Sequence, residues 1–353
     1  MQYYCTYCDQ GYAARLLCLH GSLIVHGGSF RLHVLCFDEA TETLITDVGD
    51  RSLIAIPLHE FLSANPDYAA IRSKRTKVEF YFTATPVLVR YCFQLYSEVK
   101  QVTYLDSDLF FFGPASAAFA EQGEASIGIV PHRFPERLTD LLKWGVYNVA
   151  WVSFRRDREG LACLEWWTDR CLEWCHDRID EGRFADQGYL TEFPRRFGGV
   201  RVLDHVGINA APWNMDEAQV SQNGAEILVN GRVLLFYHFQ GIREILPHWF
   251  ETGLRNYTAA LTPALRDLIY LPYLKKLVEI QSRLRAQFGI EPLLGFQRLP
   301  SGGSLRNRWD RFFARRVLPA YRKLRGQLLY CATPEIPTSL KKPVDGKGAV
   351  KTS

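Results

Sequence analysis

Residues 104–113, YLDSDLFFFG, limit what the rest of the chain can be. Val102-Thr103-Tyr104-Leu105 runs into Asp106-Ser107-Asp108. An aromatic run, Leu109-Phe110-Phe111-Phe112, then resumes before Gly113-Pro114 ends it. A short β-rich run bounded by Gly and Pro reads as a buried strand. Two carboxylates inside it are costly, because a buried ion must be paired or bound to a metal. Side chains at i and i+2 of an extended strand point the same way. The sequence therefore predicts that Asp106 and Asp108 converge at a strand end, with Ser107 turned elsewhere. A divalent cation would offset their charge. Oxygen ligands favour Mg²⁺ or Mn²⁺, which complete their shells with phosphate oxygens. The plainer alternative is a pair of turn formers or helix caps, but those are usually followed by polar residues.

The surrounding chain reads as α/β. Residues 1–8 form a weakly alternating aromatic strand, and Asp9-Gln10-Gly11 a turn. Residues 12–25 carry Leu16, Leu17, Leu19, Leu23 and Ile24 at helical spacing, stopped by Gly27-Gly28. A strand follows over 30–37 and a second short one over 45–58. Pro57 opens a helical stretch to Leu62. Strand, helix and strand at these spacings predict a parallel sheet. No GxGxxG follows the first strand and no GxxxxGK[ST] occurs, which disfavours a classical dinucleotide enzyme or a P-loop ATPase.

Residues 73–99 read as a helix feeding the Asp106 strand, with Pro86 in a first turn or a kink. Its basic start, Lys74, Arg75 and Lys77, either contacts a diphosphate or is a solvated face. Strands are predicted over 125–130 and 145–154. Asn148 is the only strongly polar residue of the second, and a buried amide needs partners, either backbone or a ligand hydroxyl. Residues 159–181 read as a helix whose stripe of Leu161, Leu164, Trp167, Cys171 and Trp174 is core. Asp186 either caps the next helix or sits in a crevice. Further strands are predicted over 200–203 and 227–235. Residues 234–240 end at His238, so His238 closes an apolar run as Asp106 does. That makes a shared site conceivable.

A length of 353 residues suggests about two domains. Apolar and charged fractions of 47% and 23% are those of a soluble globular protein. Nine scattered cysteines read as reduced thiols of the cytosol. A zinc set of Cys5, Cys8, Cys171, Cys175 and His176 is the alternative use for some of them. No signal peptide is visible and no apolar run approaches the ~20 residues that span a bilayer. Residues 254–288 read as helical, and Ser301-Gly302-Gly303-Ser304 as a linker. Beyond it, Arg306, Arg308, Arg311, Arg315 and Arg316 interleave with Trp309, Phe312 and Phe313. That is the pattern of a basic helix on an anionic membrane surface. Nucleic-acid binding is the competing reading, and no nucleic acid is expected.

The DxD of YLDSDLFFFG, the GVYNVAW segment, Asp186-Gln187 and His238-x-x-Gly241 occur in that order. Together they resemble a GT-A glycosyltransferase of the family 8 type, and more narrowly the bacterial transferases of surface-polysaccharide clusters. The likeness covers residues 1–245. It implies a GT-A fold, a Rossmann-like mixed sheet with helices on both faces, over 1–250. A helical extension over 251–300, a basic aromatic helix over 301–332 and a disordered tail over 333–353 would follow.

The resemblance implies that Asp106, Asp108 and His238 bind Mn²⁺ or Mg²⁺, which bridges the diphosphate of a nucleotide sugar, typically a UDP-sugar. Tyr3 and Tyr7 of the first strand, with Lys77, Ser107, Gly241 and Arg243, would hold the donor. Asn148, Asp186 and Gln187 would address the donor sugar and the reacting centre. The acceptor would be a glycan or lipid-linked, the transfer retaining, and the protein cytoplasmic, peripheral on the inner face of the cell membrane. Two departures leave the donor and the stereochemical outcome open. HFQGIREILPHW lacks the Lys-Pro-Trp that often follows HxxG, leaving Arg243 as the replacement cation, and Ala150 occupies the Gly of N-x-G. The alternatives are a catalytically inactive transferase-like binder and a haloacid-dehalogenase-type phosphatase. The second usually has Thr or Val where Phe110 stands.

Overall fold

A computed structural model of the chain describes residues 1–290 and 328–332. The linker, most of the expected basic helix and the tail from 333 lie outside these residues.

β1 (Gln2–Cys8), α1 (Ala13–His26) and β2 (Phe30–Cys36) form the first βαβ unit, with Tyr4 opposite Leu32 in parallel register. α2 (Glu39–Val48) follows, so residues 45–48, expected as strand, are helical. The cause is local. The Asp38 carboxylate accepts the Thr41 N–H at the helix start, and Gly49 at φ 66° ends the helix. β3 (Leu53–Pro57) begins only then. It leads to α3 (Leu58–Ala64), α4 (Pro66–Ala70) and α5 (Lys77–Leu95), which opens with a Thr76/Glu79 capping box. Pro86 lies in the middle of α5 rather than in its first turn.

β4 (Gln101–Leu105) and β5 (Leu109–Phe111) flank the two aspartates. α6 (Ser116–Gln122), β6 (Ile127–Pro131) and β7 (Tyr147–Arg155) come next. α7 (Arg158–Glu173) stops eight residues before the expected 181. Just past its end His176 is held by Glu79, 2.9 Å away, and by Arg75 at 3.1 Å. Of the expected core stripe, Leu161 is exposed and the other four residues are buried.

After α8 (Phe193–Arg196) comes β8 (Val200–Val202). The strand expected over 227–235 is instead a hairpin. β9 (Val220–Asn223), β10 (Glu226–Val229) and β11 (Arg232–Val233) pair antiparallel, and Asn230-Gly231, both at positive φ, turn the chain. β12 (Phe236–His238), β13 (Arg243–Leu246) and β14 (Trp249–Glu251) precede α9 (Pro263–Leu265) and α10 (Leu271–Phe288). β15 (Leu329–Tyr330) pairs with β14, so the far end of the segment expected as a basic helix is a strand.

The main sheet runs β3-β2-β1-β4-β7-β6-β8. β3, β2, β1 and β4 are parallel, and β7 is antiparallel to both neighbours. Strand alternation divides the core in two. Tyr4, Val34, Leu105 and Trp151 face one side with α1, α2 and α10. Cys5, Leu35, Tyr104 and Val152 face the other with α5 and α7. This is the expected mixed sheet with helices on both faces. β1 is flanked by β2 on one side and β4 on the other, so successive connections leave it in opposite directions. A crevice at the carboxyl ends of such strands is where open α/β sheets take ligands. Asp9, Asp106 and the start of β7 all lie at that edge.

Candidate metal centre

β4 carries the chain to this edge and stops at Leu105. The Asp106 N–H still reaches the Ala150 carbonyl (3.2 Å), but Leu109 N–H closes back onto the Asp106 carbonyl (3.3 Å). The two aspartates therefore sit in a turn. They converge because the chain reverses, not through the i, i+2 alternation of a strand, as the sequence suggested. The aromatic run beyond leaves the main sheet and pairs with β12, which sets Leu109 opposite His238. Phe239 N–H bonds to the Asp108 carbonyl (3.0 Å), and Phe112 and Gly113 both donate to Leu235. The ribbon register thus delivers His238 to the turn.

His238 Nε2 lies 3.1 Å from Asp108 Oδ1 and 3.7 Å from Asp106 Oδ2. Ligand atoms of the three residues all fall within 4.8 Å of one another. Among the described residues this is the one group of His, Cys, Asp and Glu so arranged, so the alternative zinc set does not assemble. Cys5 and Cys8 in fact face opposite sides of the sheet. Burial, and then the neighbouring Asp108, push the Asp106 carboxyl above its usual range against the pull of His238, while Tyr104 O–H donates to it (3.0 Å). Burial also opposes the charged forms of Asp108 and His238. Their mutual contact outweighs it, holding Asp108 low and His238 high. Two carboxylates sharing one imidazole form a hard, net-negative donor set, and these residues fit a divalent cation.

Asn148 stands near the start of β7. Its Nδ2 donates to Gln187 Oε1 (2.9 Å) and to His132 Nε2 (3.1 Å), and its Oδ1 accepts the Ala150 N–H (3.1 Å). Because His132 Nε2 accepts, its proton sits on Nδ1, which faces the Val146 carbonyl (3.2 Å). Burial drives the imidazole down to about 3, so it stays neutral. His132 stands two residues past the strand expected over 125–130, and no motif marked it. Its bond to Asn148 depends on how β6 meets β7 at an irregular register.

Asp186 is buried and does not cap the following 3₁₀ helix. Its Oδ2 has no hydrogen-bond partner among the described residues, and its carbonyl accepts the Trp167 indole N–H (2.9 Å). Burial raises its carboxyl to about 7, and Asp106 adds to the rise. The Tyr7 ring lies 5.7 Å from the ring of Tyr104, whose hydroxyl donates to Asp106, and burial followed by the Asp186 and Asp106 carboxylates pushes the Tyr7 phenol up.

The other expected donor residues have these surroundings. Tyr3, four residues back along β1, packs on His33 and Tyr96. Lys77 is exposed and pairs with Asp9 (2.9 Å). Ser107 is in the turn itself, half-buried. Gly241 takes φ 77°, which lets the chain reverse after His238. Arg243 is engaged by Glu251 across the β13–β14 pair (2.9 Å).

No family model matches the chain. It is 32% identical over 248 residues, 68% of this chain and 81% of the relative, to the uncharacterized protein YfnF of Bacillus subtilis (strain 168). To the uncharacterized protein YfnD of the same bacterium it is 28% identical over 287 residues, 79% of this chain and 91% of that one. Among solved structures it is similar to the galactosyltransferase LgtC in complex with donor and acceptor sugar analogues. The identity there is 16% and the TM-score 0.46, covering 75% of this chain and 99% of that chain. It is also similar to mouse xyloside xylosyltransferase 1 in its apo form, at 15% identity and a TM-score of 0.44, covering 68% and 98%. By its match to YfnF, the chain belongs to the family that contains that Bacillus subtilis protein.

Proposed function

We propose that the protein is a metal-dependent glycosyltransferase. It moves a sugar from a nucleotide sugar of the UDP type to a glycan or lipid-linked acceptor, with retention, in surface-polysaccharide synthesis. One observation carries the reading: two acidic side chains and an imidazole meet, among aromatic rings, at the sheet edge where the strand order reverses. The motif order seen in the sequence supports the choice of donor. Among the described residues no helix is long and apolar enough to cross a membrane.

Glycosyl transfer breaks the bond between the anomeric carbon and a diphosphate, which gains negative charge as it leaves. Mn²⁺ or Mg²⁺ held by Asp106, Asp108 and His238 would supply positive charge to that diphosphate. Tyr104 fixes the Asp106 carboxylate through its hydroxyl. Asn148 has spent both amide hydrogens on Gln187 and His132, so it can only accept, and a sugar hydroxyl is the donor it suits. Asp186, beside Tyr7, positions the donor sugar rather than acting as a base. Gln187 is locked by Asn148 and by the Trp144 carbonyl (3.0 Å).

The test uses chelator-treated protein. Mn²⁺ is expected to raise the melting temperature of the wild type by mass action and to restore hydrolysis of one member of a nucleotide-sugar panel. Asp106→Asn and Asp108→Asn should lose both effects while melting cooperatively. Metal-independent turnover, or full turnover in both variants, would overturn the reading.

A further inference from the structure

Two polar groups near Asp108 keep hydrogen-bonding capacity that the described residues do not use. Arg15, in the first turn of α1, is half-buried. Its Nη2 donates to the Ile242 carbonyl (2.9 Å), and its guanidinium lies 4.4 Å above the Tyr12 ring. Arg243 has Glu251, whereas Arg15 has no carboxylate at ion-pair distance among the described residues. Arg15 also borders a pocket with Gly11, Ile242 and Arg243.

The second group is the Tyr273 hydroxyl on α10. The side chain is fully buried, and its oxygen has no hydrogen-bond partner among the described residues. Nearby tyrosines are satisfied: Tyr237 and Tyr270 share a hydrogen bond (2.9 Å), and Tyr270 reaches the Thr252 carbonyl (3.0 Å). An unpaired buried hydroxyl is unfavourable unless something else uses it. Tyr273 stacks on Phe239 at 3.7 Å and meets Phe110 edge-on at 5.6 Å. Phe239 follows the ligand His238, and Phe110 stands two residues after Asp108. The ring is thus pressed against the ribbon that carries two of the three metal ligands. Arg15, Tyr273 and Asp108 lie within electrostatic reach of one another.

Charge counting says what this corner lacks. Two carboxylates and a divalent cation sum to about zero, so a diphosphate arriving there still needs a positive partner and donors for its outer oxygens. We propose that Arg15 and Tyr273 form an anion-binding wall beside the metal centre, donating N–H and O–H hydrogen bonds to a phosphate oxygen of the nucleoside diphosphate, both in the intact donor and in the leaving group. This rests on the nucleotide-sugar reading of the same site. It moves the phosphate-facing cation from Arg243 to Arg15 and gives α10 a part in the site.

Tyr273→Phe removes only the hydroxyl. The metal-free variant should melt at or above the wild-type temperature, since an unsatisfied group is gone, and it should bind Mn²⁺ as the wild type does. Its affinity for uridine diphosphate or guanosine diphosphate in Mn²⁺, measured calorimetrically, should fall about tenfold, with uridine and guanosine unaffected. Arg15→Gln should lose more, and Arg15→Lys should recover part of the loss. Diphosphate affinity at the wild-type level in both Tyr273→Phe and Arg15→Gln would overturn the proposal, as would an equal loss for the nucleosides. A wild type that binds neither diphosphate would overturn the glycosyltransferase reading along with it.

Discussion

Asp186 carries the most readable electrostatic signature of the site. Burial lifts its carboxyl from 3.8 to about 7, and the nearby Asp106 carboxylate adds to the rise. Between those two values the folded protein holds a proton that the unfolded chain has released. The contribution to stability is therefore complete below pH 4 and is lost as pH rises through 7. Asp186→Asn removes this titration. Without metal, the variant should be more stable than the wild type at pH 8, by on the order of 2–4 kcal/mol, and the two should converge near pH 4. Urea unfolding in chelator at both values measures this. Asp106 and His238 titrate in both proteins, so the difference reports Asp186 together with its coupling to Asp106. Equal pH slopes would mean that the carboxyl is already solvated. Loss of transfer at pH 8, where the variant is the more stable protein, would separate its chemical part from any structural one.

At the level of elements, the β5–β12 ribbon decides where the ligands stand. Gly113 ends it, and a Cβ there would meet the Leu234 carbonyl at 2.7 Å. Gly113→Ala must push the strands apart where Phe112 and Gly113 donate to Leu235. A loss of about 1–3 kcal/mol of stability is expected, together with a weaker Mn²⁺ affinity, because the Leu109–His238 register sets the ligand spacing. A thermal melt and a metal titration of the one variant check both. Unchanged metal affinity in a destabilised protein would detach the ribbon from the centre.

The same elements show what the sequence could and could not disclose. Asp106, Asp108 and His238 were readable because charge inside aromatic runs is expensive wherever it occurs. How they meet was not, since a turn and a strand end look alike when hydrophobic residues stand on both sides. Asn230-Gly231 announced a hairpin, but the apolar residues around it masked the break. Leu161 followed the helical period of α7 and still faces solvent, because periodicity fixes a face and not how far the neighbouring layer reaches. His132 could not be found from spacing, since its role arises from an irregular register between β6 and β7.

For the molecule as a whole, the site lies where its two halves meet. The main sheet supplies Tyr7, Asp106, Asn148 and the Asp186 loop. The later chain supplies His238 on the ribbon and Tyr273 on α10, and α10 packs along α1, which carries Arg15. A ligand held by the trio and by that wall would therefore tie the later helices to the carboxyl edge of the sheet. Local opening then costs more wherever the ligand bridges. Amide exchange on the full chain should slow, with Mn²⁺ and a nucleoside diphosphate present, over 10–16, 236–246 and the first turns of α10. The β9–β11 hairpin, whose first strand is largely exposed and contributes no ligand, should exchange at its unliganded rate. Mn²⁺ alone should protect the ribbon without reaching α10, because a metal at this centre would be held by Asp106, Asp108 and His238 and not by Tyr273. Protection that stops at 104–112 even with the diphosphate bound would place α10 outside the site and leave the sheet edge to work alone.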